Sequence, residues 1–422
     1  MASLQQLSDD LWNGVTSTHE KEHHPFATLD CVEPVSTSVA FYKNFSNITV
    51  VKTGACAVLI DTGSFHPVAN ARSFEKIRTE TQSRIHTAIY THGHVDHAYG
   101  LPPFLEEADT KGWNAPAIIG HESVCFRMDR YIETAGYNSV INERQFGQPI
   151  EWPVDPIYPT ETYSTSKTVS VEGIEFQLNH AKGETDDHTW VFIPSEKVLC
   201  TGDLFIWAAP NAGNPQKVQR YVKEWAAALR QMETLNAEVL CPGHGVPVYG
   251  ADRVREVLTS CAAYLESLYV QTLALLNEGA PINEIIHAVK PPDTLSALPY
   301  LQPIYDEPEF IVRTVHRCLA GWYSGIPSEL KPASHAEQGR EIVELAGGIE
   351  SVLMRAEVLC DAGNFRMACH WADWAIAAVP DSSEAHSVRS KVYEQRLKHE
   401  TSTMSRGVFS EAKRDSDKRV KE

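Results

Sequence analysis

The strongest constraint on the fold of this chain is the motif HGHVDH at residues 92–97, which directly follows an apolar stretch at residues 86–90. The motif places four metal-type side chains within six positions, namely His92, His94, Asp96 and His97. We expect the first two at the end of a strand and the last two at the start of the next helix, so that one turn offers two ligands to each of two neighbouring metal ions. Imidazole and carboxylate together suit zinc. The motif therefore predicts a metal-binding turn rather than a solvated histidine-rich loop.

Length and charge limit what the chain can be. Its 422 residues exceed the size at which a single hydrophobic core stops growing, so we expect two domains. A formal net charge of −18 argues against nucleic-acid binding, which depends on clustered Lys and Arg. Residues 1–12 lack the basic and apolar segments of a signal peptide, no stretch of about 18 uncharged apolar residues occurs, and the nine cysteines form no CxxC pair. We therefore expect a cytoplasmic protein with free thiols, no nucleic-acid partner and no membrane insertion.

Two parts of the chain differ in pattern. Residues 1–250 alternate short β-branched runs with helical segments, which predicts a layered α/β catalytic domain. Residues 251–422 are predicted to be a helical domain, beginning with a helix whose apolar face runs from Val254 to Leu275 and which Gly279 should terminate. The predicted strands cover residues 38–42, 48–52, 56–60, 86–90, 168–178, 188–193, 197–200 and 238–241, and the other predicted helices cover 69–82, 98–107, 221–235, 310–323, 336–345, 349–361, 365–378 and 382–397. Residues 410–422 are predicted to be a charged, frayed end.

Two further turns have the form of metal-ligand turns, because each follows a predicted strand. Asp203 lies in the string LCTGDLF, where a carboxylate after a Thr-Gly turn can bridge two ions. His244 lies in the string LCPGHG, where proline and two glycines allow the chain to turn sharply and direct an imidazole back over the sheet. Each string alone is a weak signal. Together and in this order after HxHxDH, they predict a dinuclear centre.

This arrangement resembles the metallo-β-lactamase superfamily, whose signature is HxHxDH. Most members carry PGH at a later turn, and the histidine completes the first zinc site. Here Glu184 stands at that place, in the string HAKGETDDH, with Gly183 matching the glycine of PGH. The alternative is that Glu184 is a solvated turn residue and that His180 or His188 is the ligand.

Glutamate in the PGH position is typical of the alkyl sulfatase branch, and the second half of the chain resembles that branch as well. The string beginning PYLQPIYDEPEF at Pro299 is similar to the family's helical dimerisation domain, including its GW-(Y/W)-x-G-x-P turn from Gly321 to Pro327. The strings ELAGG, ACHWADWA and MSRGVF look like its downstream helices. The resemblance covers residues 30–410. It implies an αββα sandwich followed by an all-α dimerisation domain, without the C-terminal lipid-carrier-like domain of some members.

The resemblance also implies a set of ligands. One Zn²⁺ would be bound by His92, His94 and Glu184, the other by Asp96, His97 and His244, with Asp203 shared. Three carboxylates would offset three of the four charges on two Zn²⁺ ions, which gives a weaker Lewis acid that still lowers the pKa of a bound water. Relatives are homodimers that hydrolyse sulfate monoesters of alkyl alcohols. Because they carry glutamate where this chain has Asp203, a shorter or different organic ester is a further expectation.

Other polar residues complete the predicted site. The string PNAGNPQKVQRY offers donors for an anionic head group at Asn211, Asn214, Lys217 and Arg220, although a polar helix start with solvated Lys and Arg explains each of them equally well. His188, four residues after Glu184, is predicted either to act as general acid or to support a ligand. Asp61, in LIDTG, should support the metal ligands through hydrogen bonds. His121 is interpreted as a structural residue at the rim.

The sequence thus predicts a zinc-dependent hydrolase of alkyl sulfates or related small esters that acts through a metal-bound hydroxide, with Asp96 and His188 as catalytic residues. A lactam, lactone or acyl-thioester hydrolase is the nearest alternative, because the fold supports all of these reactions. An iron-dependent sulfur oxygenase is a different class. A helical scaffold with a vestigial hydrolase domain is disfavoured by the full set of seven ligands.

Overall fold

The computed structural model describes residues 3–421, so the outer ends of the two predicted domains, residues 1 and 422, lie outside the described residues. The described chain divides into two compact units, one formed by the chain up to Ala135 with Trp152–Gly321 and the other by Gly136–Glu151 with the chain from Trp322 onwards. Residues 251–321, which we assigned to the helical domain, belong to the first of these units. The predicted domain boundary at residue 250 stays a prediction.

Seven strands of the described chain form a first sheet in which spatial order follows sequence order. They are β1 (Cys31–Pro34), β2 (Val39–Lys43), β3 (Ile48–Lys52), β4 (Cys56–Ile60), β5 (Arg84–Ile89), β6 (Ala117–His121) and β7 (Glu161–Tyr163). The strands from β1 to β4 pair antiparallel, and those from β4 to β7 pair parallel. Strands β2 and β4 are buried along their whole length. The sequence of β4 is continuously apolar, as this burial requires, whereas β2 ends in the buried Lys43.

A second sheet contains six strands of the described chain. They are β8 (Ser166–Val171), β9 (Ile174–His180), β10 (Thr189–Ile193), β11 (Val198–Gly202), β12 (Val239–Pro242) and β13 (Val248–Tyr249). The single strand predicted over 168–178 is wrong, because β8 and β9 form a hairpin. Its two turn residues, Glu172 and Gly173, both have positive φ, which is the backbone that a tight two-residue hairpin requires.

Helices cover the outer faces of both sheets, which gives the αββα sandwich. The helices of the first unit are α1 (Leu4–Trp12), α2 (Pro67–Glu80), α3 (Pro102–Thr110), α4 (Ser123–Glu133), α6 (Val222–Glu233), α7 (Ala251–Asn277), α8 (Ile282–Ala288), α9 (Asp293–Ser296), a 3₁₀ turn (Pro299–Leu301) and α10 (Pro308–Leu319). Helices α2 and α3 pack against strands of the first sheet, and α7 packs against β12 and β13 of the second and against α6. Side chains of both sheets and of α6, α7 and α10 share one apolar core. We did not predict α4 or β7.

The second unit is helical. It contains most of α5 (Ala135–Phe146), which we did not predict, and α11 (Pro327–Leu330), α12 (His335–Leu345), α13 (Ile349–Asp361), α14 (Phe365–Ala378), α15 (Ser383–Leu397) and α16 (Thr403–Lys421). Its core is formed by α13, α14 and α15. The frayed end predicted from residue 410 is wrong as far as Lys421, because Ser416 is buried and Asp417 accepts a hydrogen bond from Ser390 of α15. Among the described residues, no helix is long and apolar enough to cross a membrane.

Candidate metal centre

The HxHxDH motif lies in the turn that follows β5. Contrary to our prediction, Asp96 and His97 do not begin a helix, because the backbone after them is engaged elsewhere. Thr62 donates its backbone N–H and its hydroxyl to the carbonyl of His97, at 2.7 Å and 3.0 Å, and its hydroxyl accepts the N–H of Gly100. A Cβ at Gly100 would overlap the carbonyl of Thr62. Helix α3 therefore begins only at Pro102, a residue suited to the first turn because its missing N–H is not needed there.

The other ligand turns lie at the ends of strands of the second sheet. Strands β11 and β12 pair parallel, so their carboxyl ends are adjacent and bring Asp203 and His244 to the same edge. Glu184 lies in the connection between β9 and β10. Gly243 is required for this approach, because a Cβ there would overlap the Asp203 carboxylate. Gly202 and Gly243, which directly precede Asp203 and His244, thus allow the turns to pack closely.

Two adjoining groups of ligand-type side chains result, and together they contain the seven predicted ligands. We call His92, His94, Glu184 and Asp203 the four-residue group, and Asp96, His97 and His244 the three-residue group. In the four-residue group the Nε2 of His92 lies 2.8 Å from the Nδ1 of His94, and these nitrogens lie 3.8 Å and 3.7 Å from Oε2 of Glu184. In the three-residue group the Nε2 atoms of His97 and His244 are 3.3 Å apart. They lie 3.6 Å and 3.5 Å, respectively, from Oδ2 of Asp96.

Asp203 lies between the groups. Its Oδ2 is 3.9 Å from Nε2 of His92 and 3.4 Å from Nε2 of His244, and its Oδ1 is 3.3 Å from Nε2 of His97. Its side chain is almost fully buried. This position is the one that a carboxylate shared by two ions would need.

The residues present fit a metal cofactor. Ligands about 2.0–2.1 Å from a tetrahedrally coordinated ion lie about 3.3 Å from one another, which is close to the spacing found here. The Nδ1 atoms of His97 and His244 face the oxygens of Asp61 and of the Phe45 carbonyl, at 2.9 Å and 2.5 Å, so the neutral form of each ring would carry its proton on Nδ1 and leave the Nε2 lone pair for a metal ion. Within the described part of the chain, Oε2 of Glu184 and Oδ1 of Asp203 are buried without a hydrogen-bond partner. A cation between these atoms would satisfy all of them.

The pKa values reflect the same crowding. Burial lowers the pKa values of His92 and His94 well below the ordinary range, and neighbouring His97 and Arg127 respectively lower them further. Burial also acts to lower the pKa of His97, but the carboxylates of Asp203, Asp96 and Asp61 outweigh it and raise the pKa well above the usual value. Burial raises the pKa of Glu184, whereas His244 and His97 overcome burial and hold the pKa of Asp203 well below its usual range. The centre thus concentrates opposite charges in a volume that excludes water.

Asp61 has the supporting contacts that we predicted for it. One oxygen faces His97, and the carboxylate also accepts the backbone N–H and the hydroxyl of Thr91, at 2.8 Å and 2.9 Å. His121 stacks on His180 at 3.6 Å, and its Nε2 faces the carbonyl of Ser164. Neither of these two rings joins the ligand groups.

His188 lies beneath the ligands. Its ring is fully buried and stacks on His92 with 4.6 Å between ring centroids, and its Nε2 faces the carbonyl of Thr201 at 3.1 Å. Burial lowers its pKa. Of the two alternatives to Glu184, His180 faces the carbonyl of His188, and His188 packs behind His92; the structure brings Glu184, not these rings, into the four-residue group.

Two of the four predicted head-group residues contact Glu184. Asn211 donates to Oε1 of Glu184, and Arg220 lies 3.1 Å from the same atom and also donates to the Glu184 carbonyl. Lys217 is half-buried with its Nζ 5.4 Å from the centre of the Trp152 ring, and burial lowers its pKa to about 8. Asn214 instead accepts the N–H of Gln216 and closes its own turn.

Sequence analysis missed Arg127 and Asp187, which form a buried ion pair beside His94. Arg127 lies in α4, a helix that we did not predict. Asp187 is the second aspartate of the GETDDH string, and the only available signal was its position three residues after Glu184.

Comparisons with known proteins identify two domain families in this chain. The metallo-beta-lactamase superfamily model matches residues 42–244, and the alkyl sulfatase dimerisation model matches residues 281–418. A linear primary-alkylsulfatase from Pseudomonas sp. is 25% identical over 80% of this chain and 67% of its own length, and an (R)-specific secondary-alkylsulfatase from Pseudomonas sp. is 25% identical over 83% and 57%. The solved structure of the stereoselective inverting sec-alkylsulfatase Pisa1 from Pseudomonas sp. is 23% identical, covers 92% of this chain and 65% of its own, and superposes with a TM-score of 0.82.

The chain contains a metallo-β-lactamase superfamily domain followed by an alkyl sulfatase dimerisation domain, and its alkylsulfatase relatives support the alkyl sulfatase branch. The predicted family and fold class are confirmed. The superfamily and the two ligand groups also support a metal cofactor. The chain spans between 57 and 67% of the length of the three relatives named above.

Proposed function

We propose that this protein is a metal-dependent hydrolase of alkyl sulfate esters or closely related anionic esters, with two Zn²⁺ ions as cofactors. The observation that carries the proposal is the convergence of seven ligand-type side chains into two adjoining groups around Asp203. The membership of the alkyl sulfatase branch supports the substrate class. When bound, the ions supply Lewis acidity and lower the pKa of water towards neutrality.

The charges around Glu184 support an anionic substrate. Arg127 and Arg220 act to lower the pKa of His94, and Glu184 and Asp96 act to raise the pKa of Lys217, so all three cations lie near the ligands in a chain whose formal net charge is −18. Arg127 and Arg220 are paired with Asp187 and Glu184, and we propose that Lys217 contacts the anionic head group. Positive charge at that place attracts an anion and stabilises negative charge that develops in the transition state.

Each remaining side chain has a role that follows from its contacts. Asn211 and Arg220 hold Glu184 in place. Asp96 is the most exposed carboxylate of the centre, with 21% of its side chain exposed, and we propose that its Oδ1 orients the attacking water. His188 is fully buried behind His92 and cannot reach a substrate, so its contacts support the alternative that it positions His92 rather than acting as general acid.

Several finer assignments belong to the same proposal. We propose that one ion is bound by His92, His94 and Glu184 and the other by Asp96, His97 and His244, with Asp203 shared between them. The dimerisation domain supports a homodimer, which light scattering tests. The cytoplasm is our proposal for the compartment, supported by the nine cysteines, all of which are free thiols. A small-molecule ester is the proposed substrate.

The experiment is a substrate panel on zinc-reconstituted protein. Chelator-treated protein is supplied with Zn²⁺ and assayed with alkyl sulfates of increasing chain length, lactones and acyl thioesters. We expect turnover of alkyl sulfates only, lost with chelator and restored by zinc. Turnover of thioesters or lactones alone, or oxygen consumption by an iron-loaded protein, would overturn the proposal.

Lys217 provides a sharper test of the anionic head group. We expect Lys217→Met to raise KM for alkyl sulfates by about tenfold, since one hydrogen bond or ion pair with a charged group contributes roughly 1.5–3 kcal/mol. Lys223→Met is the matched control. Lys223 lies on α6, and its Nζ is 5.8 Å from the centre of the Tyr269 ring, much as the Nζ of Lys217 lies over the Trp152 ring. Equal KM values for both variants would remove Lys217 from the substrate site.

A further inference from the structure

The turn between His92 and His94 is held from outside the two ligand groups. Gly93 separates these residues, and its backbone N–H donates to Oδ2 of Asp187 at 2.8 Å. A Cβ at Gly93 would lie 3.0 Å from that oxygen and 3.1 Å from the Cδ of Arg127, so both side chains pack directly on the backbone of the turn. Any displacement of Asp187 or Arg127 therefore moves the peptide that carries both histidines.

Asp187 is itself fixed by a buried ion pair. Its Oδ1 accepts a hydrogen bond from Nε of Arg127 at 2.8 Å, and neither side chain is more than 2% exposed. Arg127 also donates to Asp186 and lies over the ring of Tyr131. A buried pair with this many contacts has one well-determined geometry, because losing either partner leaves an uncompensated charge away from water.

The pair connects three separate parts of the chain. Arg127 lies on α4, Asp187 lies three residues after Glu184 in the connection between β9 and β10, and Gly93 lies in the turn after β5. The two turns that supply His92, His94 and Glu184 are therefore joined through Asp187. The three-residue group is supported differently, through Asp61 on His97 and the Phe45 carbonyl on His244.

We propose that Arg127 and Asp187 form an ionic clamp that positions the four-residue group, and that the clamp sets the metal affinity of that group without setting the affinity of the three-residue group. Both are positioning residues, since neither belongs to the ligand groups. The inference rests on the proposed metal centre but not on the proposed substrate. Residues that orient metal ligands typically contribute 10–100-fold to metal affinity.

The test measures zinc binding to chelator-treated protein by competition with a chromophoric chelator, together with stoichiometry by elemental analysis. Asp187→Asn keeps an acceptor for the Gly93 N–H but removes the charge, and Arg127→Met removes the other partner. We expect two binding steps in the unmodified protein. Each variant should weaken one step about 10–100-fold and leave the other within about twofold. Arg127→Lys, which keeps the charge but loses the planar donors, should fall between.

A second buried pair serves as the control for general destabilisation. Arg78 and Glu107 have side chains 8% and 12% exposed, and Arg78 lies over the rings of Phe74 and Phe104, much as Arg127 lies over Tyr131. Arg78→Met should lower the melting temperature of the metal-free protein while both zinc steps remain unchanged. If Arg127→Met fails to fold, Asp187→Asn and Arg127→Lys carry the test.

The possible results separate this proposal from the proposed function. Equal weakening of both steps, unchanged binding by folded clamp variants, or the same loss in Arg78→Met would overturn the clamp. Unmodified protein that binds no zinc would overturn the metal centre itself. Zinc binding that follows the expected pattern in a protein without sulfatase activity would leave the clamp standing and overturn the substrate assignment.

Discussion

Around the four-residue group the supporting contacts are buried ion pairs, Arg127 with Asp187 and Arg220 with Glu184. Around the three-residue group they are a hydrogen bond to Asp61 and one to a backbone carbonyl. One turn supplies ligands to both groups, so the difference arises from what surrounds them. The environment of the four-residue group depends on charges brought together from distant elements. The environment of the three-residue group depends on Asp61, which follows β4, and on residues 25–27, which we call the N-terminal segment.

The N-terminal segment contacts the three-residue group through His244. The ring of Phe26 packs on the His244 ring at 4.2 Å, and the carbonyl of Pro25 accepts the N–H of Gly245. Lys43, buried at the end of β2, donates to the carbonyls of Pro25, Ala27 and Asn44 and so fixes this segment. We therefore expect changes in each environment to affect different metal-binding steps.

The largest effect is expected from Glu184→Ala, which removes a ligand and leaves Arg220 as an uncompensated buried charge. Metal affinity of the four-residue group and hydrolysis should each fall by more than about a hundredfold, since even residues that only orient ligands contribute 10–100-fold. The free energy of unfolding should fall by about 3–5 kcal/mol. Zinc titration, steady-state kinetics and chemical denaturation measure these changes. Glu238→Ala is the control, because Glu238 forms an exposed ion pair with Lys197. Full metal content and an unchanged rate of hydrolysis in Glu184→Ala would show that our ligand assignment is wrong.

A smaller effect is expected from Asp61→Asn, which should weaken metal binding mainly at the three-residue group. The amide keeps much of the shape but weakens the hold on His97, so the affinity of the three-residue group should fall about 10–100-fold. The step that Asp187→Asn weakens should change less, because Asp61 reaches His92 only through Thr91, whose hydroxyl faces Nδ1 of His92 at 3.0 Å. Zinc titrations of the two variants side by side measure this difference. If both variants weakened the same step, the two environments would not be independent.

The smallest effect is expected from Lys43→Met, which leaves three carbonyls without their donor and should cost about 1–3 kcal/mol in the free energy of unfolding. Burial lowers the pKa of Lys43 from 10.5 to about 7, so the folded chain releases the proton near pH 7 while the unfolded chain keeps it to about pH 10.5. The unmodified protein should therefore gain stability as pH rises from 7 to 10.5, by up to about 1.4 kcal/mol per pH unit, and lose the same amount as pH falls from 10.5 to 7, below which Lys43 adds no further pH dependence.

Lys43→Met should lack this rise. Chemical denaturation of the metal-free protein at pH 7, 8 and 9 measures the difference. Lys52→Met, on a more exposed lysine of β3 paired with Glu80, should keep the pH dependence of the unmodified protein. Parallel pH profiles for the unmodified protein and Lys43→Met would mean that Lys43 stays charged in the fold.

The parts of the fold that sequence analysis found are those with a strong local pattern. Strands β3 and β4 were predicted with their bounds because continuous apolar runs end at turn residues. Helix α5 was not predicted, because large apolar side chains such as Tyr137 and Val140 lie on its exposed face and obscure the amphipathic period. Helix α4 was missed although its amphipathic period is clear. The start of α3 was predicted too early because contacts of Thr62 with the preceding turn are not visible in the sequence.

By itself, the sequence determined which side chains can bind metal and which turns carry them. The strings HxHxDH at residues 92–97, TGD at residues 201–203 and PGH at residues 242–244 are short, and the glycines needed for close approach stand beside the ligands. Only the tertiary structure decided that Asp203 lies between the two groups, that His188 packs behind His92, and that Arg127 pairs with Asp187. Those arrangements depend on distances between elements that are far apart in the chain. Such distances follow from how whole sheets and helices pack, and no local pattern encodes them.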